Sequence, residues 1–419
     1  MIIGFVGLGH LGLISSIVAT SKSCKVIAYG NKSELSKIED KKININEPKL
    51  SQLYKKNKKK IKFTNKLNDL KRTDFIYISK DVPTDSKNIS NLKPITNIIK
   101  SLYLFKKKPT IIILSQVPPG FMRNIKWPLN KLYYQAETLI FGMAIERALK
   151  PERIIVGNFS GEAKIDNKLK KYLRLFNCPI LIMNYESAEL TKISINMYLI
   201  SSITTTNLLS ELSNKVGANW PDISSALKLD RRIGKYAYLK PGLGISGGNL
   251  ERDLNTVIRT CNRYNLDINI FNMWKKKSNY FKNWAIKKFL ELRKNKKYIK
   301  KIAVLGLAYK PNTDSLKNSP SIEIVNKLKN KYSVNVYDPV IKKIEKNNLN
   351  FSNSLYNAVK NVNLIFIMTP WKEFRNLNSI KIKKILKGKI IIDPFGLIRG
   401  QGLLNNKVKY FSIETDHRY

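Results

Sequence analysis

Short apolar, β-branched runs recur through the first third of the chain, each closed by polar or turn residues: Ile2–Val6, Lys25–Tyr29, Phe75–Ser79, Thr110–Leu114 and Arg153–Val156. Runs of this length read as strands, and the amphipathic stretches between them supply the helices of βαβ units on a parallel sheet. From Ser187 to about Lys296 the period changes. Leu190, Ile193, Met197, Leu199 and Ile200, continued by Ile203 and Leu208, fall at helical spacing and mark the apolar face of one long helix. A second long helix, with interruptions, is predicted from near Asp253 to Leu292, and a glycine-rich loop from Lys240 to Asn249 precedes it. At Lys301 the strand–helix alternation resumes, with Ile302–Leu305, Val334–Tyr337, Leu364–Met368 and Ile390–Ile392. The pattern predicts three regions: α/β over residues 1–185, an all-helical connector over 186–296 and a second, smaller α/β region over 297–419.

Composition changes this picture little. An apolar fraction of 43% across 419 residues suffices for two or three separate cores. Three cysteines, Cys24, Cys178 and Cys261, form neither a CxxC pair nor an even disulfide set, which points to a reducing compartment, the cytoplasm. Residues 1–21 are nearly uncharged but lack a basic leader, and Gly4, Gly7, Gly9 and Gly12 break the run at turn-like spacing, against a targeting peptide or membrane span. The net charge of +46 suggests nucleic acid. Its lysines, however, are scattered in company with Asn and Ile, the residues of AT-rich codons. No helix-turn-helix, zinc-finger or RNP signature accompanies them, so neither a nucleic-acid partner nor a metal site is expected.

Gly7-Leu8-Gly9-His10-Leu11-Gly12 is a GxGxxG run between the strand Ile2–Val6 and the helix that follows. The first glycine permits the tight turn, the second lets backbone approach a pyrophosphate, and the third packs helix on strand. Free N–H groups at the helix start then favour the phosphates. This placement makes region one a Rossmann domain for a nicotinamide dinucleotide, with Gly7, Gly9, His10, Leu11 and Gly12 as the binding loop. One part is missing: where an acid at the end of strand two bonds the adenosine ribose, the sequence reads Tyr29-Gly30-Asn31-Lys32. Asn31 can reach the ribose and Lys32 can attract a 2′-phosphate, so NAD is preferred over NADP only mildly.

Further on, Glu189, Lys192 and Asn196 fall at spacings that share one helix face. A lysine beside a carboxamide can polarise a substrate oxygen and orient a water; the same spacing also suits a solvated polar face. The odds shift when further segments are read in order: Glu47-Pro48, Val82-Pro83-Thr84, Val117-Pro118 with Gly120, Pro151 with Arg153 to Gly157, Asp230 with Arg232-Ile233-Gly234, the glycine loop ending at Asp253, Gly306 to Asp314 (GLAYKPNTD), Ser319-Pro320-Ser321 and Tyr337-Asp338-Pro339. Over nearly its full length the sequence resembles the UDP-glucose/GDP-mannose dehydrogenase family of nucleotide-sugar dehydrogenases.

That resemblance implies an N-terminal Rossmann domain for NAD, a central helical domain that forms a homodimer, and a C-terminal Rossmann-like domain for a UDP- or GDP-linked sugar. It also implies a two-step, four-electron oxidation of a sugar C6 alcohol to a carboxylate. Lys192 and Asn196 match the family's catalytic lysine and asparagine, and Asp253 the aspartate that holds a water with the lysine. Glu137 aligns with the glutamate of a PEFL-like motif. Arg232, Tyr309 and Lys310, with Gly244 and Gly247 of the glycine loop, fall at substrate-contact positions, Arg232 on a partner subunit's site. Thr84, Arg252 and Lys317 stand at cofactor-contact positions.

Departures cluster around the chemistry. Counting back from Asp253 places Asn249 where the family has its nucleophilic cysteine, and a carboxamide cannot form the thiohemiacetal that carries the second hydride transfer. Gln116, Phe141 and Glu251 also depart from the family pattern, as does Gly30. Three functional readings follow: a dehydrogenase that stops after one hydride transfer, a catalytically silent binder of nucleotide sugar or NAD in a regulatory role, and an anionic-surface or nucleic-acid binder on a borrowed fold.

Overall fold

The computed structural model describes residues 1–36, 38–39, 42–43, 45–85, 88–294, 298–344, 349–377, 382, 384–388, 390–398 and 408–414. The chain divides into two compact units, Met1–Ile195 and Asn196–Tyr419.

In the first unit the elements run β1 (Ile2–Val6), α1 (His10–Ser21), β2 (Lys25–Tyr29), α2 (Lys32–Leu35), β3 (Ile38–Glu39), β4 (Lys42–Ile43), α3 (Leu50–Asn57), β5 (Ile61–Thr64), β6 (Phe75–Ile78), α4 (Lys93–Tyr103) and β7 (Ile111–Ile113). They continue through β8 (Leu132–Ala136), α5 (Ala144–Leu149), β9 (Ile154–Asn158), α6 (Asn167–Arg174), β10 (Ile180–Asn184) and the start of α7 (Tyr185–Lys215). Eight strands form one sheet in the order β10-β9-β8-β7-β6-β1-β2-β5. Neighbours are parallel except β8 and β9, which run antiparallel. The sheet is covered on both faces, so its central strands are apolar throughout. Phe75 and Tyr77 of β6 pack into one core with Phe5, Ile14 and Ile17, while Ile76 and Ile78 join Val6 and Ile95 in the other. The reversal at β1, between β6 and β2, opens the crevice at which doubly wound sheets bind ligands.

The second unit takes up the rest of α7 and continues with α8 (Trp220–Leu229), α9 (Asn249–Arg263), α10 (Asn269–Lys282) and α11 (Trp284–Lys294). Then follow β11 (Lys301–Leu305), α12 (Pro320–Leu328), β12 (Ser333–Tyr337), β13 (Asn350–Phe351), α13 (Leu355–Val359), β14 (Leu364–Ile367), β15 (Ile390–Ile392) and β16 (Lys409–Phe411). A parallel sheet of order β13-β12-β11-β14-β15-β16 carries its core, against which Phe281, Ala285 and Phe289 of the preceding helices are packed.

The expected architecture of Rossmann domain, helical connector and Rossmann-like domain is present. Several details differ. The first sheet has β5, β8 and β10 in addition to the five strands expected, and the second has β13 and β16. The interrupted helix expected from near Asp253 is three helices, and it begins four residues early: Asn249 is the first residue of α9, not the end of a loop. The expected limit between residues 296 and 297 lies outside the described residues.

Candidate functional site

The glycine loop links β1 to α1. Gly7 takes φ +99, and a Cβ there would come within 2.9 Å of the Lys80 backbone, so both space and conformation demand glycine. At Gly12 a Cβ would overlap the Gly7 carbonyl oxygen and reach 2.6 Å from Ser79 Oγ, which itself donates to that carbonyl over 3.0 Å. These contacts seat α1 directly on the loop. They leave the backbone cradle that a dinucleotide pyrophosphate fits, with Leu11 and His10 in the first turn of a 12-residue helix. An anionic group lies on it at Gly9, where a Cβ would overlap the Asp81 carboxylate.

His10 is held from two sides. Its Nε2 lies 2.9 Å from Glu47 Oε2, and its ring stacks on Phe141 with centroids 4.0 Å apart. Glu47 also accepts from the Gly142 and Ala144 N–H groups at 3.0 and 2.8 Å. Burial alone would raise the Glu47 carboxyl, but these bonds from His10 and the two N–H groups outweigh it and hold it below its ordinary value. Glu47 of the Glu-Pro pair thus ties the cofactor helix to the loop after β8.

Asn31 is occupied otherwise than expected. Its side-chain oxygen accepts from Glu34 N at 2.8 Å as the N-cap of α2, so it is not turned toward a ribose. The carboxylate beside the glycine loop belongs to Glu34, which accepts from Leu8 N at 3.1 Å and from Lys80 Nζ at 2.8 Å. Sequence reasoning missed Glu34, although Asn31-x-x-Glu34 is a capping-box spacing that fixes where this carboxylate goes. Thr84 bridges Ser90 in the segment after β6.

Glu189, three residues before Lys192 on α7, and Glu137 both lie in the first unit. Glu189, fully buried on α7, accepts from the Gly120 and Met122 N–H groups at 2.6 and 2.8 Å, fastening the Val117-Pro118 turn to the helix that carries Lys192. Burial pushes its carboxyl up to about 7, against the opposing pull of those two N–H groups. Glu137, just past the end of β8, is raised by burial, while the nearby positive charge of Lys192 partly restores its ionisation. The two candidates therefore sense each other electrostatically.

In the second unit the structure brings Asn196 and Asp253 together. Asn196 Nδ2 donates to Asp253 Oδ2, and Arg252 Nε donates to Asp253 Oδ1 at 3.1 Å, all three side chains being buried. Arg252 is thereby committed to Asp253. Asn249, four residues before Asp253 on α9, shares its helix face and stands at the first helical position with Gly248 as N-cap. The stem of Lys317 lies over Gly248: a Cβ there would sit 2.8 Å from Lys317 Cδ and 2.9 Å from its Nζ. Glu251 is bonded to Lys282 and Asn318, bracing the start of α9.

Gly244 and Gly247 both need left-handed backbone, φ +68 and +79. A Cβ at Gly247 would meet the Tyr309 ring at 2.8 Å, and one at Gly244 the Ser278 carbonyl oxygen at 2.6 Å. The loop so shaped borders a cleft of about 630 Å³ lined by Lys240, Ser246, Tyr309, Lys310, Arg375 and Phe395 among others. Three cations and three aromatic rings, Tyr238 among them, in one cleft suit a diphosphate attached to a flat base. Arg375 was not foreseen, since nothing in its local sequence marks it. Arg232 does not join the cleft residues: its guanidinium is bonded to Asp230 at 2.7 Å and its side chain is 89% exposed.

Residues 1–174 match the NAD binding domain of the UDP-glucose/GDP-mannose dehydrogenase family, residues 186–280 its central domain and residues 303–400 its UDP binding domain. A UDP-glucose 6-dehydrogenase of Rickettsia typhi is 30% identical, with 99% of each chain covered. One from Bacillus subtilis is 26% identical over 99% of this chain and 97% of its own. Among solved structures, a UDP-glucose dehydrogenase from Pyrobaculum islandicum superposes with TM-score 0.86 at 22% identity, covering 99% of this chain and 98% of that one. A UDP-D-ManNAc dehydrogenase from Pyrococcus horikoshii gives 0.85 at 24% identity, with both chains fully covered.

Proposed function

The chain belongs to the UDP-glucose/GDP-mannose dehydrogenase family, and from that premise we propose that it oxidises the C6 alcohol of a UDP-linked hexose, UDP-glucose first, and stops at the aldehyde. The observation that carries this reading is the pairing of Asn196 with Asp253, one helical turn beyond Lys192 on α7, with a carboxamide at Asn249 in place of a nucleophile. Bound NAD supplies the hydride acceptor. Asn196, its carboxamide turned by Asp253, donates to the alcohol oxygen, and Lys192 contributes the positive charge that stabilises that oxygen as its proton leaves. Transfer of the hydride to that acceptor and release of the proton to solvent water leave a carbonyl at C6. A second oxidation requires a nucleophile to add to that carbonyl first, and Asn249 cannot do so.

The remaining site residues take these roles: Gly7, Gly9, His10, Leu11 and Gly12 cradle the dinucleotide, Thr84 borders it, and Tyr309, Lys310, Gly244 and Gly247 shape the uridine diphosphate cleft. Glu137 lies within electrostatic reach of Lys192. Arg252 holds Asp253, and Lys317 guards the start of α9. Arg232, exposed, serves the site of a second subunit. The working domain limits are 1–185, 186–296 and 297–419. We further assign the chain to a cytoplasmic homodimer; among the described residues no helix is long and apolar enough to cross a membrane.

The test is stoichiometry. With UDP-glucose and NAD the expected yield is one NADH per sugar, with an aldehyde captured by hydroxylamine and identified by mass spectrometry. Two NADH per sugar would overturn the early stop. Absence of NADH with a panel of UDP- and GDP-sugars would overturn the dehydrogenase reading.

A further inference from the structure

The end of β2 lacks the carboxylate that dinucleotide-binding folds place against the adenosine ribose, because Gly30 stands there. Space for an acid at that position is also missing: a Cβ on Gly30 would meet Leu8 Cδ1 at 2.7 Å and Glu34 Cβ at 3.2 Å. The second of those neighbours is itself an acid. From α2 the Glu34 side chain turns back toward the loop, and its Oε1 accepts from Leu8 N, the residue between the first two glycines, at 3.1 Å. Two further contacts fix it there: Asn31 N donates to Oε2 at 2.9 Å, and Lys80 Nζ donates to both oxygens at 3.0 and 2.8 Å.

We infer that Glu34 is this chain's ribose acid, supplied from the helix after β2 instead of from the strand end, and that it makes the cofactor site select NAD over NADP. The inference rests on the proposed function, since it presumes that a dinucleotide occupies the glycine loop. Glu34 and Lys80 are partly open to solvent, at 18% and 14% of their side chains, so a ligand can reach them. A carboxylate offers about four acceptor directions. Lys80 takes one on each oxygen, so releasing either contact frees an acceptor for a ribose hydroxyl while the ion pair persists through the other. A 2′-phosphate brought to the same place meets a carboxylate already pinned by two backbone N–H groups, and like charges at that distance repel. Lys80 tempers this repulsion but is already engaged by Glu34. Lys32, the other cation near the end of β2, is the rival: were it the dominant contact, the site would favour the 2′-phosphate instead.

Direct binding separates the two. NADH and NADPH are titrated into the full-length chain by intrinsic fluorescence, for the wild type and for Glu34→Gln, with melting temperature confirming that each is folded. The wild type is expected to bind NADH at least about tenfold more tightly than NADPH. Glu34→Gln should lose most of that ratio, weakening NADH while sparing or improving NADPH. A structural role in the capping box would weaken both nucleotides together and leave the ratio intact, and that outcome overturns the inference, as does a wild type that prefers NADPH. A Glu34→Asp variant provides a second reading, because it keeps the charge but shortens its reach: an intermediate ratio supports the assignment, and an unchanged one overturns it. Failure of the wild type to bind either nucleotide overturns the proposed function together with this inference, whereas binding without discrimination overturns this inference alone.

Discussion

At position 249 the chemistry turns on one side chain and on where the fold puts it. Asn249 is the first residue of α9, where unpaired N–H groups and the helix dipole stabilise negative charge, and the Lys317 stem crosses the neighbouring Gly248. A thiol placed there would ionise more readily than in water. Asn249→Cys is therefore expected to add a second NADH per sugar and to convert the aldehyde into acid; unchanged stoichiometry by absorbance and mass spectrometry would show that more than the nucleophile is missing. Cys261 does not substitute, since it lies twelve residues further along the same helix, roughly 18 Å away at 1.5 Å per residue. Asp81 makes a second residue-scale argument. Its carboxylate lies on the face of Gly9 that a pyrophosphate approaches, so it opposes the anion the loop is shaped for. Asp81→Asn should tighten NADH binding by about tenfold, an effect on the order of 1.4 kcal/mol, and the gain should shrink with added salt. Calorimetric titration at two ionic strengths checks both parts; weaker binding would mean that Asp81 holds the loop in shape.

Among the elements, α7 does the most positioning, and Glu189 is its fastening to the turn after β7. The carboxyl titrates near 7 in the folded chain and near 4.5 when exposed, so the native state binds its proton more tightly. Its contribution to stability is fully present below about pH 4.5 and is lost as pH rises through 7. At 1.36 kcal/mol per unit the swing is on the order of 3 kcal/mol. Glu189→Gln cannot titrate, so the difference in melting temperature between variant and wild type should change across this window and become flat above it; a difference independent of pH would refute the argument. Elements also show what was legible in the chain beforehand. β1, β2, β6, β7 and β9 were readable because each is a short apolar run closed by turn residues. β5, Ile-Lys-Phe-Thr, follows three lysines and carries a fourth, and β10 is a half-exposed edge strand, so neither stands out by hydrophobicity. The turn from Gly7 to Gly12 and the shared helix of Lys192 and Asn196 were legible because both depend on local spacing. Arg375 and Asp81 were not, because they are delivered by chain crossings distant in sequence. Glu34 is the instructive intermediate: its capping-box spacing was in view, but only the fold shows that the box aims the carboxylate at Leu8.

For the molecule as a whole, an apolar surface and a large net charge pull in opposite directions. Leu209 and Leu212 on the last turns of α7, with Val216 just past its end, fall at helical spacing and are 43%, 55% and 68% exposed; Ile270 and Met273 of α10 are 54% and 49% exposed. Apolar side chains repeated on one helix face are costly in water and favour burial against another copy. Each copy, however, carries a formal charge of +46, so bringing two together is opposed by long-range repulsion that salt screens within about 8–10 Å. The association should therefore strengthen as salt is added, the reverse of an interface built on ion pairs. In sedimentation velocity the chain is expected at twice its 48.2 kDa mass in moderate salt, with dissociation on dilution at low ionic strength. Leu212→Lys with Val216→Lys replaces apolar burial with added like charge, so this variant should shift to the single-chain mass at every salt concentration while its melting temperature at low protein concentration stays close to that of the wild type. A double variant that remains dimeric would place the interface elsewhere. Loss of the dimer together with loss of turnover would support Arg232 as a residue lent to the neighbouring site, because its exposed side chain is not among the residues lining the cleft of its own chain.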